Sequence, residues 1–163
     1  MTTTLLSSDA GKTVLTGPLG ARLMLESAQT GGAFSLVDHA IAPRALAAPM
    51  HVHEREDEYS YVLEGEVGFQ VGDDVVTGRP GDLVLKPRGI WHAFWNAGDA
   101  PARVLEVISP GGFEGYFAGL ASLLPPAVPE RNFEGLARLQ AEYGLTMDAG
   151  SIERLTREHG LAG

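Results

Sequence analysis

"HVHEREDEYSYVLEG", residues 51–65, sets two histidines one residue apart, then an acidic run, a short alternating stretch and a glycine. Successive side chains of an extended chain point to opposite faces, so His51 and His53 project side by side while Val52 turns away. Glu58 opens the next extended run, "EYSYVLEG", and Ser60 and Val62 share its face. Two imidazoles on one face, with a carboxylate five residues further on, make half of a metal site.

A further ligand stands downstream. In "GDLVLKPRGIWHAFWN", residues 81–96, His92 follows a Pro-x-Gly turn. Gly81 and Gly89 provide permissive backbone where the chain must turn, and Pro87 stiffens the approach. His92 therefore arrives at the start of a new strand. Three neutral imidazoles and one carboxylate form a donor set that a divalent first-row transition ion accepts.

Outward from these two stretches the pattern is β throughout. "KTVLT", "ARLMLES" and "AFSLVDHAI" precede them, "VGFQVG" and "DVVTG" lie between, and "ARVLEVIS" follows. Turn residues in "TGPLG", "TGG", "GDD", "GRPGD" and "NAGDAP" separate the runs, as short strands of a sandwich or barrel require. After "SPGG" the period changes. Phe113, Phe117, Leu120 and Leu124 recur at helical spacing, and "PPAVP" (residues 125–129) stops that helix. Asn132 caps a second helix ended by Gly144, and a third, "SIERLTREHG", closes at Gly160. Residues 1–112 are thus expected to form the β body. Residues 113–163 form a helical tail on that body or on a partner subunit.

Composition narrows the function. The chain has 163 residues, enough for one domain with a core. A formal net charge of −9 disfavours nucleic acid and anionic membranes as partners. With no cysteine, thiolate metal sites, disulfides and cysteine nucleophiles are excluded. No apolar run approaches the roughly 18 residues of a membrane span. The first residues lack the basic and apolar regions of a signal peptide, so a cytoplasmic location is expected.

The two stretches resemble the paired motifs of the cupin superfamily. The first, H-x-H-x4-E-x6-G, is met by His51, His53, Glu58 and Gly65. The second, G-x5-P-x-G-x2-H-x3-N, is met by Gly81, Pro87, Gly89, His92 and Asn96. The one departure is Ala45, where a glycine often stands in that family. The resemblance is to single-domain bacterial members similar to quercetin dioxygenases. It implies a small antiparallel β-barrel, the double-stranded β-helix, with a metal bound inside by His51, His53, Glu58 and His92. The metal is a divalent transition ion: iron, manganese, nickel, cobalt, copper or zinc. A homodimer is the family expectation.

The activity implied is that of a dioxygenase acting on an aromatic or enolisable small molecule, with dioxygen as second substrate and Glu58 as the candidate general base. One alternative is a metal-dependent isomerase, epimerase or lyase on a sugar or hydroxy acid, which needs further polar groups in the barrel. Arg55, Lys86 and Arg88 are the nearest, and their facing is open. The other alternative is a non-catalytic module that binds metal or a small ligand. Phe94 has the strand parity of His92 and is the first candidate for a pocket wall, with Phe69, Ser60 and Val62 as further pocket candidates. Trp91 and Trp95 have the opposite parity and are expected between sheets or at an interface. Tyr59 and Tyr61 are expected in core or interface packing. Glu54, Glu56 and Asp57 read as a solvated acidic loop, and His39 and His159 as structural or exposed.

Overall fold

A computed structural model describes residues 5–124 and 132–162. Among the described residues there are eleven strands, the first ten of them where the alternating runs lie: β1 (Lys12–Leu15), β2 (Ala21–Leu25), β3 (Ser35–Ile41), β4 (Ala45–His53), β5 (Asp57–Glu64), β6 (Val67–Val71), β7 (Asp74–Gly78), β8 (Leu83–Lys86), β9 (His92–Asn96), β10 (Ala102–Ser109) and β11 (Leu145–Met147). Three helices follow the β body, α1 (Glu114–Leu123), α2 (Phe133–Glu142) and α3 (Ser151–His159). One sheet has the order β1-β2-β3-β10-β5-β8 and the other β11-β4-β9-β6-β7, every named pairing antiparallel. The strands therefore remain two facing sheets in a jelly-roll-like arrangement. The expected all-β body with a C-terminal helical tail is present, its sheets not closed into a barrel.

Strand alternation decides the core. In β10, Ala102, Val104, Glu106 and Ile108 are buried while the residues between them are half-buried. Ile41, Val62, Val67, Phe69, Phe94 and Val104 pack between the sheets, and burying each such side chain stabilises the fold by roughly 1.5–3 kcal/mol. Asn96 ties the ends of this core together. Its amide donates to the carbonyls of Ile41, Ala42 and Ala100, and its Oδ1 accepts from Gly98 N.

The tail caps behave as their residues suggest. Asn132 Oδ1 accepts from Gly135 N at 2.8 Å, and Gly144 and Gly160 adopt φ of 61° and 63°. Residues 125–129, expected to stop the first helix, lie outside the described residues. β11 has no counterpart among the expected strands; only its pairing with β4, Leu145 opposite His53 and Met147 opposite His51, makes it one. Phe113, just before α1, and Tyr116 and Phe117 of α1 pack on Ala21, Leu23, Val37 and Ile108. Behind the other sheet, Leu155 of α3 and Leu161 cover Met50, Ala93 and Trp95, and Trp95 stacks on His159 with ring centroids 3.9 Å apart. Trp95 thus packs under the tail, while Trp91 is 39 % and Tyr61 41 % exposed. Among the described residues no helix is long and apolar enough to cross a membrane.

Candidate metal centre

Three strands converge on one cluster. His51 and His53 come from the end of β4, Glu58 from the start of β5, and His92 from the first position of β9, where it lies opposite His51. All four are buried, and one ligand atom from each lies within 4.8 Å of all the others. The turn before β9 makes this possible: Gly89 adopts φ = +75°, a conformation open to glycine, and donates its amide to His53 O at 2.8 Å.

The donor chemistry fits a cation. His51 Nδ1 donates to Pro49 O at 2.7 Å, and His92 Nδ1 to Ile90 O at 3.0 Å. With the ring proton committed there, each Nε2 carries a lone pair. Yet His92 Nε2 stands 3.2 Å from Glu58 Oε2, and His53 Nε2 stands 3.4 Å from Glu58 Oε1. For His92, a lone pair beside a carboxylate oxygen in a buried site is a pair of donors that a bound cation would satisfy. Burial pushes His92 and, with the neighbouring His92 and His53, His51 below the ordinary imidazole value, which keeps them in the neutral form that metals require. Neither nitrogen of His53 has a hydrogen-bond partner. Its Nδ1 lies 3.5 Å from Glu56 Oε2, placing a carboxylate behind the imidazole as orienting groups stand behind metal-bound histidines.

A second buried group adjoins the first. Lys86, opposite Glu58 in the β5–β8 register, is 3.0 Å from Glu58 and 2.9 Å from Glu106. Burial opposes the charge on Glu58, but Lys86, His53 and His92 outweigh it and hold the carboxyl well below its usual range. Burial raises Glu106 against the pull of Lys86, with Glu58 adding to the rise, to about 7.

His51, His53 and Glu58 of the cluster line a cavity of about 240 Å³. Its walls are mostly apolar, with Lys86 and Glu106 among them: Phe94, Ala47 and Leu19 come from the β body, and Phe113, Phe117 and Leu120 from α1 and the residue before it. Leu136, Leu145, Met147 and Ile152 complete the roof. Phe113 sits edge-on to His53 with centroids 4.4 Å apart.

Of the expected pocket residues, Phe94 lines this cavity. Phe69 and Val62 sit in the core between the sheets, and Ser60 is buried with its hydroxyl donating to Glu106. One expectation changes, that of Glu56, while the structure settles the facing of Lys86 and buries the structural His39. Glu56 is 6 % exposed and turned to His53 rather than solvated, His39 is 2 % exposed and lines the cavity, and Lys86 lies inside the sandwich. Glu106 went unnoticed, since nothing in "ARVLEVIS" distinguishes it except a charged residue at an inward parity.

Comparison with known proteins agrees with this geometry. A family model described as "Cupin domain" matches residues 37–108. The tetracenomycin polyketide synthase protein TcmJ of Streptomyces glaucescens is 28 % identical over 89 residues, 55 % of this chain and 60 % of TcmJ. Quercetin 2,3-dioxygenase of Bacillus subtilis (strain 168) is 28 % identical over 115 residues, 71 % of this chain and 34 % of the enzyme. The chain thus spans less than two thirds of either relative. Among solved structures, the polyketide cyclase RemF of Streptomyces resistomycificus superposes with a TM-score of 0.57 at 26 % identity, covering 67 % of this chain and 80 % of RemF.

Proposed function

Since the chain belongs to the cupin superfamily, we propose that it is a metal-dependent dioxygenase that adds both atoms of dioxygen to an aromatic or enolisable small molecule. The observation that carries this reading is a mostly apolar, aromatic-walled cavity lined by His51, His53 and Glu58, three of the four clustered donors. His51, His53, His92 and Glu58 would hold the ion. When bound, a divalent transition ion supplies Lewis-acid polarisation of an enol or hydroxy-ketone oxygen and a site for dioxygen. The chain's own residues do the rest. Phe94, Phe113 and Phe117 bury the substrate ring and exclude water, and Glu58, once it stands off the ion, accepts the proton that the enol or hydroxyl loses. The similarity to a quercetin dioxygenase supports this choice.

Elemental analysis of the purified protein, followed by oxygen uptake with flavonols, diketones and catechols, tests it. Near-stoichiometric metal and uptake with one of these classes is expected. Metal without uptake on any of them overturns the dioxygenase.

Lys86 and Glu106 favour a second reading, a metal-dependent isomerase or lyase, because they place a cation and an additional carboxylate in the cavity lining. The similarities to TcmJ and to a polyketide cyclase direct it toward cyclisation or isomerisation of an enolisable aromatic precursor rather than toward sugars, for which the walls are too apolar. Turnover without oxygen, followed by NMR of the substrate, distinguishes the two. A homodimer accompanies either reading. Tyr61 lies opposite Leu83 on β5 and β8, and with Leu85 these exposed side chains give a second copy an apolar surface. Light scattering in solution tests that.

A further inference from the structure

The Lys86 ammonium is enclosed by two carboxylates and a ring. Nζ is 3.0 Å from Glu58 Oε2, 2.9 Å from Glu106 Oε2, and 4.9 Å from the centroid of Phe94. Lys86 and Glu106 are each 1 % exposed and Glu58 4 %. The arrangement follows from the sheet order, in which β5 runs between β8 and β10 and carries Glu58 opposite Lys86 and Ser60 opposite Glu106.

Glu58 is therefore claimed twice. It is the one carboxylate among the four clustered donors, and it is also a partner of a buried ammonium. In an interior that screens charge weakly, two cations that depend on the same anion oppose each other. Glu106 changes the outcome for the lysine. Ser60 Oγ donates to Glu106 Oε2 at 2.8 Å and steadies the carboxylate, while Oε1 is buried without a partner and has capacity left to accept.

We propose that Lys86 competes with the metal ion for Glu58, and that Glu106 is the second seat of its ammonium. The lysine then sets how tightly the centre holds its ion and whether Glu58 binds that ion or stands off it toward the substrate. This rests on the metal-centre reading of the His51, His53, Glu58 and His92 cluster.

Zinc affinity of the intact chain, stripped of metal and measured by competition with a chromophoric chelator at one pH, tests the proposal. Lys86→Met is expected to bind zinc about tenfold or more tightly than the wild type, because the competing charge is gone. Glu106→Gln leaves the ammonium with Glu58 alone and is expected to bind about tenfold more weakly. General damage would weaken both variants, so the opposite signs separate competition from misfolding. Should Lys86→Met fail to fold with two unpaired carboxylates, the double variant Lys86→Met/Glu106→Gln removes one charge of each sign. It is expected to bind more tightly than the wild type. Zinc binding by the wild type with equal or weaker binding by Lys86→Met, or by the double variant where the single one does not fold, overturns the role of Lys86 and leaves the metal centre standing. Absence of zinc binding in the wild type and all variants overturns the metal centre and this inference with it.

Discussion

The amide of Gly89 donates to the carbonyl of His53 at 2.8 Å, so the turn that delivers His92 is fastened to the strand end that carries another histidine of the cluster. Two segments far apart in the chain share one anchor. Gly89 has φ = +75°, and no atom lies within 4 Å of where a Cβ would stand, so a side chain there is opposed by backbone strain alone. Gly89→Ala is expected to cost about 1–2 kcal/mol in urea unfolding and to lower zinc affinity. Gly31→Ala, at φ = +65° in equally open space but in the turn after Ser27–Gln29, is expected to cost a similar amount and leave zinc affinity unchanged. Equal zinc affinities in the two variants would show that the turn does not place His92.

Glu56 stands behind His53, 3.5 Å from Nδ1. Removing a group that orients a ligand commonly costs about 10–100-fold in metal affinity. Glu56→Ala is expected to fall in that range by chelator competition, while Glu54→Ala, whose side chain is exposed, has no effect. A loss shared by both variants would mean that the acidic run acts only through its overall charge.

His39 is buried, with Nδ1 donating to Gly20 O, and burial lowers its pKa to about 4. The unfolded chain takes up this proton near pH 6.5, the folded protein only near 4. Stability from this residue is complete above about pH 6.5 and is lost progressively as pH falls toward 4, by roughly 3 kcal/mol in total. His39→Gln is expected to flatten that part of the metal-free stability profile, measured by denaturant unfolding between pH 4 and 7. Parallel profiles for wild type and variant would refute a buried neutral imidazole.

Phe113 joins tail and site, packed on His53, Tyr116, Phe117 and Tyr143 and only 3 % exposed. Phe113→Ala is expected to cost about 3–5 kcal/mol, whereas Leu124→Ala, at 42 % exposure, stays within about 1 kcal/mol. Urea denaturation of both variants measures the difference. Similar values would mean that Phe113 packs more loosely than its contacts indicate.

The four clustered residues were legible because each lies at a fixed offset within a short motif, and a strand of period two converts offset into facing. The helix ends were legible for the same local reason, through Asn132, Gly144 and Gly160. Lys86 was not. In "LVLK" the outward Leu83 and Leu85 are each 55 % exposed while the lysine faces in, which reverses what hydrophobic alternation suggests. Its inward facing follows from pairing with Glu58, a partner 28 positions away, and Glu106 lies a further 20 beyond. Glu56 was hidden in "EREDE", where only the bend between β4 and β5 singles out one acid among neighbours that look alike. β11 is three residues long, too short to carry a period, and exists through its partner strand.

The four candidate ligands all come from residues 51–92, whereas much of the cavity lining comes from residues 113–152. Part of the cavity lining can therefore be changed without touching the segment that carries the candidate ligands. An experimenter could randomise Leu120, Leu136, Met147 and Ile152 as a cassette and screen for new guests without rewriting the four positions that would grip the ion.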